Sequence, residues 1–113
     1  MNSYDNLEDY DLLAKVCLTK TEFGGRQGAV LDGYRGQFFW HINDVNCSDW
    51  DAEYFFVNGS VTPGEESRCK IRLSENVKKY SNGVFPVDQQ FGIREGSKII
   101  AVGVILESKV QNA

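Results

Sequence analysis

Residues 89–108 read Gln-Gln-Phe-Gly-Ile-Arg-Glu-Gly-Ser-Lys-Ile-Ile-Ala-Val-Gly-Val-Ile-Leu-Glu-Ser. Two β-rich runs flank Arg94-Glu95-Gly96-Ser97, and Gly96 can take the positive φ of a tight reversal, so the stretch predicts a hairpin. Its second arm, 98–106, is almost wholly apolar and includes Ala101 and Gly103. That pattern predicts a strand covered on both faces, with the small residues where another backbone passes close. Such a strand belongs to a barrel or sandwich.

The rest of the chain repeats the β signal. From Ala14 onward, Ala14, Val16 and Leu18 alternate with Lys15, Cys17 and Thr19, the pattern of a half-buried strand. A loop with glycines at 24, 25, 28, 33 and 36 follows, threaded by Arg26, Tyr34 and Arg35. Residues 37–42 form an aromatic strand, 43–51 are polar and turn-prone, and 53–57 make the next strand. Cys69, Ile71 and Leu73 then alternate with Arg68, Lys70 and Arg72, giving one core face and one basic face. Residues 77–80 are short and basic, Asn82-Gly83 marks a turn, and 84–87 lead into the final hairpin. With strands and turns this close and no long helix, the expected class is all-β, a Greek-key sandwich or closed barrel. Closure is favoured because it removes edges that aromatic strands would expose to aggregation.

Length and charge narrow the function. The 113 residues suffice for one domain. Cys17, Cys47 and Cys69 are odd in number and widely spaced, which indicates neither a disulfide framework nor a zinc site and suits a reducing, cytoplasmic setting. The acidic start has no apolar core, so no secretory signal or membrane span is expected. Residues 1–56 hold four Lys/Arg against ten Asp/Glu, whereas 57–113 hold eight against six. Such a balance does not favour nonspecific nucleic-acid binding, so any RNA contact must be local.

No phosphate-binding loop, dinucleotide fingerprint or nucleophile elbow is present, and His41 is the single histidine. His41, Asp44 and Cys47 lack a fourth ligand and a common face for a metal. The carboxylates Glu65-Glu66 and Asp49, Asp51 and Glu53 read as solvated turn charge. No catalysis, metal, cofactor or nucleotide is expected. Gly24-Gly25-Arg26 leaves two readings open: a backbone cradle with Arg26, Arg35 and Gln37 offered to a phosphate, or a β-turn with solvated arginines.

Four blocks carry a family likeness: Gly24-Gly25-Arg26; Gly33-Tyr34-Arg35-Gly36-Gln37-Phe38 with Asp44-Val45; Thr62-Pro63-Gly64-Glu65; and Phe91-Gly92-Ile93-Arg94-Glu95-Gly96 with Val102-Gly103-Val104. In this order and near this spacing they resemble the C-terminal, third domain of translation elongation factor EF-Tu. The resemblance implies a six-stranded antiparallel Greek-key β-barrel over residues 8–109, after a flexible acidic lead-in at 1–7 and before a tail at 110–113. It also implies a noncatalytic module that holds the T-stem backbone of aminoacyl-tRNA, with Arg26, Gln37, Asn46 and Glu95 at the contact positions. Gln27 stands where the family usually has histidine, and Gly36 where it usually has proline. Glycine there loosens the approach to Gln37.

The GTPase domain and second barrel have no counterpart in this sequence. Two partners therefore fit: a tRNA-like or other structured RNA, or a protein that normally recognises EF-Tu and is met by a mimic of it. For the second, Arg35, Trp50 and Tyr54 are the candidate surface, the aromatic stretch 47–57 being either a cover for docking faces or ordinary core.

Overall fold

The computed structural model describes residues 4–42, 46–74, 87–95 and 98–109, with backbone alone for 39–42 and 46–51. Eight strands occur in it: β1 (Leu12–Leu18), β2 (Val30–Leu31), β3 (Gln37–Ile42), β4 (Asn46–Phe56), β5 (Ser60–Val61), β6 (Glu66–Leu73), β7 (Gln90–Glu95) and β8 (Lys98–Ser108). Six of them close an antiparallel barrel in the order β1-β6-β4-β3-β7-β8, with β8 returning to β1. β3, β4 and β6 form a meander, β1 lies beside β6 as the fourth strand of a Greek key, and the β7–β8 hairpin fills the remaining gap. The short β2–β5 ladder, not foreseen from the sequence, sends Val30 and Val61 into the core, each 2% exposed.

Side-chain alternation explains the strands. Leu12, Ala14, Val16 and Leu18 of β1 and Cys69, Ile71 and Leu73 of β6 point inward, while Lys15 and Cys17 point to solvent. Phe38 of β3 stacks on Phe91 of β7, with ring centroids 4.8 Å apart. Gly103 of β8 lies against that Phe91 ring: a Cβ at 103 would stand 2.4 Å from its Cζ. The small residue thus makes room for an aromatic side chain rather than for a passing backbone.

Two further expectations are corrected. β8 is not covered on both faces: Val102 is 57% and Ile99 44% exposed, because the outer face of a barrel meets solvent. The polar run 46–51 is strand rather than turn, since the β3 ladder, running from Gln37↔Asp51 to Ile42↔Asn46, supplies its backbone partners whatever its side chains. The expectations for Asp44-Val45, 77–80, Asn82-Gly83, 84–86, Gly96-Ser97 and 110–113 fall outside the described residues. The segment read as a flexible lead-in touches the barrel from Tyr4 onward: Leu7 is 3% exposed, and Lys70 Nζ donates to the carbonyls of Tyr4 and Leu7.

Candidate nucleic-acid interface

The glycine loop is built by backbone geometry. A 3-10 turn, Thr21–Phe23, ends at Gly24, whose φ of +93° puts it in the left-handed region. Gly25 then passes so close to Thr19 that a Cβ would stand 2.0 Å from its carbonyl oxygen, which only glycine permits. The Thr21 hydroxyl donates to the Arg26 carbonyl and fixes the turn's exit. Arg26 is thereby delivered to the end of the barrel from which β3 starts.

There Arg26 meets Glu95, the last residue of β7. Its Nε lies 2.8 Å from Glu95 Oε2, and its Nη1 donates to the Ala29 carbonyl at 2.8 Å. The Tyr34 hydroxyl donates to the same Glu95 oxygen, and the Arg26 guanidinium stands 5.4 Å from the Tyr34 ring centroid. Burial pushes the Tyr34 phenol well above its ordinary range, the hydrogen bond to Glu95 and that carboxylate's charge add to this, and Arg26 opposes it. Tyr34 therefore stays a neutral donor at physiological pH.

Gly36 is what lets Tyr34 reach. A Cβ at 36 would stand 2.5 Å from Tyr34 Cε2 and 2.7 Å from Ile93 Cγ2. Rather than merely loosening the approach to Gln37, this glycine provides the space in which the tyrosine ring lies. Gln37 opens β3 opposite Arg94 on β7, one residue from Glu95. With Phe38 buried beside it, Gln37 falls on the outer face.

Arg26, Gln37 and Glu95 thus come together, joined by Tyr34 and Arg94. Asn46 does not join them. It opens β4 opposite Ile42, five rungs along the ladder from the Gln37–Asp51 pair, or about 17 Å at strand spacing; its side chain lies outside the described residues. The sequence reading missed Tyr34 as a site residue, and the available signal was the glycine two positions after it.

The proposed partner surface fares differently residue by residue. The Arg35 side chain is 75% exposed, 3.4 Å from Glu53. That of Trp50 lies outside the described residues. Tyr54 is overturned as a surface residue: it is fully buried in the core cluster, its ring 5.9 Å from that of Tyr34. The stretch Tyr54-Phe55-Phe56 is interior or covered throughout, because inward alternation takes Tyr54 and Phe56 and leaves only Phe55 on the outer face. Among the described residues no group of three or more His, Cys, Asp or Glu is placed to hold a metal ion, and no helix is long and apolar enough to cross a membrane.

Comparison with known proteins agrees with the fold. The family model described as the elongation factor Tu C-terminal domain matches residues 8–109. Elongation factor Tu of the apicoplast of Plasmodium falciparum (isolate 3D7) is 36% identical over 97 residues, which cover 86% of this chain. The chain spans about a fifth of that relative, the match covering 22% of its length.

Proposed function

This chain belongs to the family of the elongation factor Tu C-terminal domain, and from that premise we propose that it is a noncatalytic binding module that holds a tRNA-like RNA stem. The observation that carries the reading is the ion pair between Arg26 and Glu95, 2.8 Å apart, with the Gln37–Arg94 rung beside it. A guanidinium and a carboxylate side by side offer donors and an acceptor at one point. A ribose 2′-hydroxyl both donates and accepts, so such a site suits the sugar edge of an RNA stem without naming bases. Asn46, set apart along the β3–β4 hairpin, would touch a different stretch of the same backbone. The setting that fits this partner is the cytoplasm, or another compartment in which translation runs.

The test is a titration of the protein into labelled bulk tRNA at low and at physiological salt, with the Arg26→Ala, Gln37→Ala double variant alongside. Saturable binding that weakens with salt and drops by about tenfold or more in the double variant, with the melting temperature nearly unchanged, is expected. Unaltered affinity in the double variant would sink the assignment. A protein partner of EF-Tu-recognising type is the second reading, favoured by the exposure of Arg35. It calls for binding that survives salt and is lost in Arg35→Ala.

A further inference from the structure

Leu7 and Phe55 are 3% and 4% exposed, yet neither belongs to the cluster that fills the barrel. Their burial therefore has to be accounted for outside it. Phe55 of β4 stands opposite Lys70 of β6, and Lys70 stands opposite Leu13 of β1. The residues flanking all three, Leu12, Ala14, Cys69, Ile71, Tyr54 and Phe56, point inward, so Leu13, Lys70 and Phe55 form one row across the outer face.

The segment ahead of β1 is fastened to this row by side chains. Lys70 Nζ donates to the carbonyls of Tyr4 at 2.6 Å and Leu7 at 3.1 Å, and lies 4.6 Å and 4.9 Å from the ring centroids of Tyr4 and Tyr10. Lys109 Nζ donates to the Glu8 carbonyl at 2.7 Å and sits 3.8 Å from the Tyr10 centroid. Asp9 pairs with Arg72 at 3.6 Å. The backbone bonds that tie the chain into the barrel begin at Asp11, whose N–H donates to Ile71 and whose carbonyl accepts from Lys109.

Two properties follow. The segment presents Tyr4, Leu7 and Tyr10 at intervals of three, and the row presents one ammonium between two apolar side chains. The contacts engage main-chain carbonyls and tyrosine rings, and Leu7 between them is buried; these are groups that any peptide with the same spacing supplies. We propose that the outer face of β1, β6 and β4 is a docking surface for a Tyr-x-x-Leu-x-x-Tyr segment, filled in cis by residues 4–10 and open in trans to the same segment of a second copy. This does not rest on the RNA reading, whose residues come from β3, β7 and the glycine loop.

The test uses the full chain. A fluorescein-labelled peptide of residues 4–11 is titrated into the wild type and into the variant Tyr4→Ser, Leu7→Ser, Tyr10→Ser. A tethered segment competes at an effective concentration in the millimolar range, so the variant is expected to bind the peptide at least about tenfold more tightly than the wild type. Adding Lys70→Met, which keeps the stem and removes the ammonium, should abolish that binding. Equal binding by wild type and variant, no binding by a variant that melts as the wild type does, or indifference to Lys70→Met would each overturn the proposal. Should the triple variant fail to fold, limited chymotrypsin cleavage of the single Lys70→Met chain decides. Cleavage after Tyr4, Leu7 and Tyr10 must be faster than in the wild type while the barrel stays intact, and an unchanged cleavage rate refutes the docking role of Lys70.

Discussion

Replacing Tyr54 by phenylalanine should stabilise this protein. The Tyr54 hydroxyl is buried with no hydrogen-bond partner among the described residues, in a side chain that is 0% exposed. In the unfolded chain water satisfies that hydroxyl, so folding strips it of hydrogen bonds, at a cost of about 1–3 kcal/mol by protein mutational data. Against the gain stand the dispersion contacts of one oxygen atom, about 0.1–0.2 kcal/mol for each neighbouring heavy atom. The ring and its packing against Tyr34 remain. A net gain of about 1 kcal/mol is expected, which in a domain of this size raises the melting temperature by about 4 °C. Urea and thermal unfolding measure it, and an unchanged denaturant slope would show that the effect is on stability rather than on the compactness of either state. A loss of about 1 kcal/mol or more would refute the reasoning, since it would mean that the hydroxyl makes a hydrogen bond in solution. On the RNA reading proposed above, the variant should leave tRNA affinity unchanged, because the ring does not reach the surface.

Two further predictions concern the same end of the barrel and its core. Gly36→Ala forces a Cβ to within 2.5 Å of the Tyr34 ring, so it should destabilise the fold by about 1–3 kcal/mol and separate Tyr34 from Glu95; an unchanged thermal melt would count against this. Burial holds the Cys69 thiol and the Tyr54 and Tyr34 phenols above their ordinary values of 9.0 and 10.0, so the folded state keeps protons that the unfolded chain gives up. Their contribution to stability is full below those values and is lost as pH rises past them, so the melting temperature should fall above about pH 9, and one that is constant to about pH 10.5 would contradict it.

The strands that alternate cleanly were legible in the sequence. β3 runs over 37–42 as expected, and the inward residues of β1 and β6 are the expected ones. Legibility failed where long-range pairing, rather than local pattern, decides. The first half of β4 is polar and has turn-forming residues, yet the β3 ladder makes it strand. Tyr54-Phe55-Phe56 shows no alternation in sequence because its outer member, Phe55, is buried as well, at 4% exposed. At the site, Glu95 was legible only through the family likeness, whereas Arg26 was also offered by the glycine loop as one of two open readings. Nothing local to either residue shows that one will neutralise the other. Tyr34 was hidden for a related reason: its role depends on the absence of a side chain at 36, and an absence becomes informative only once the neighbouring ring has been placed.

The acidic first half, which in the sequence argued against RNA, is changed by folding into something else. Asp11 accepts the Leu73 amide and Asp32 the Phe56 amide, so both act as backbone caps. Asp9 faces Arg72, and Glu53 lies between Arg35 and Arg72. Charges segregated along the chain are thus interleaved in space, because β4 and β6, from the acidic and basic halves, are neighbours in the barrel. Ion pairs between exposed groups contribute little to stability, but they do decide the field that a ligand meets. At the Arg26 end that field is set by local charges, the Arg26–Glu95 and Arg35–Glu53 pairs among them, not by the net charge of −4. Net charge is therefore the wrong quantity from which to judge RNA binding by this barrel. The relevant one is how many arginines at that single end gain a phosphate without first giving up a carboxylate.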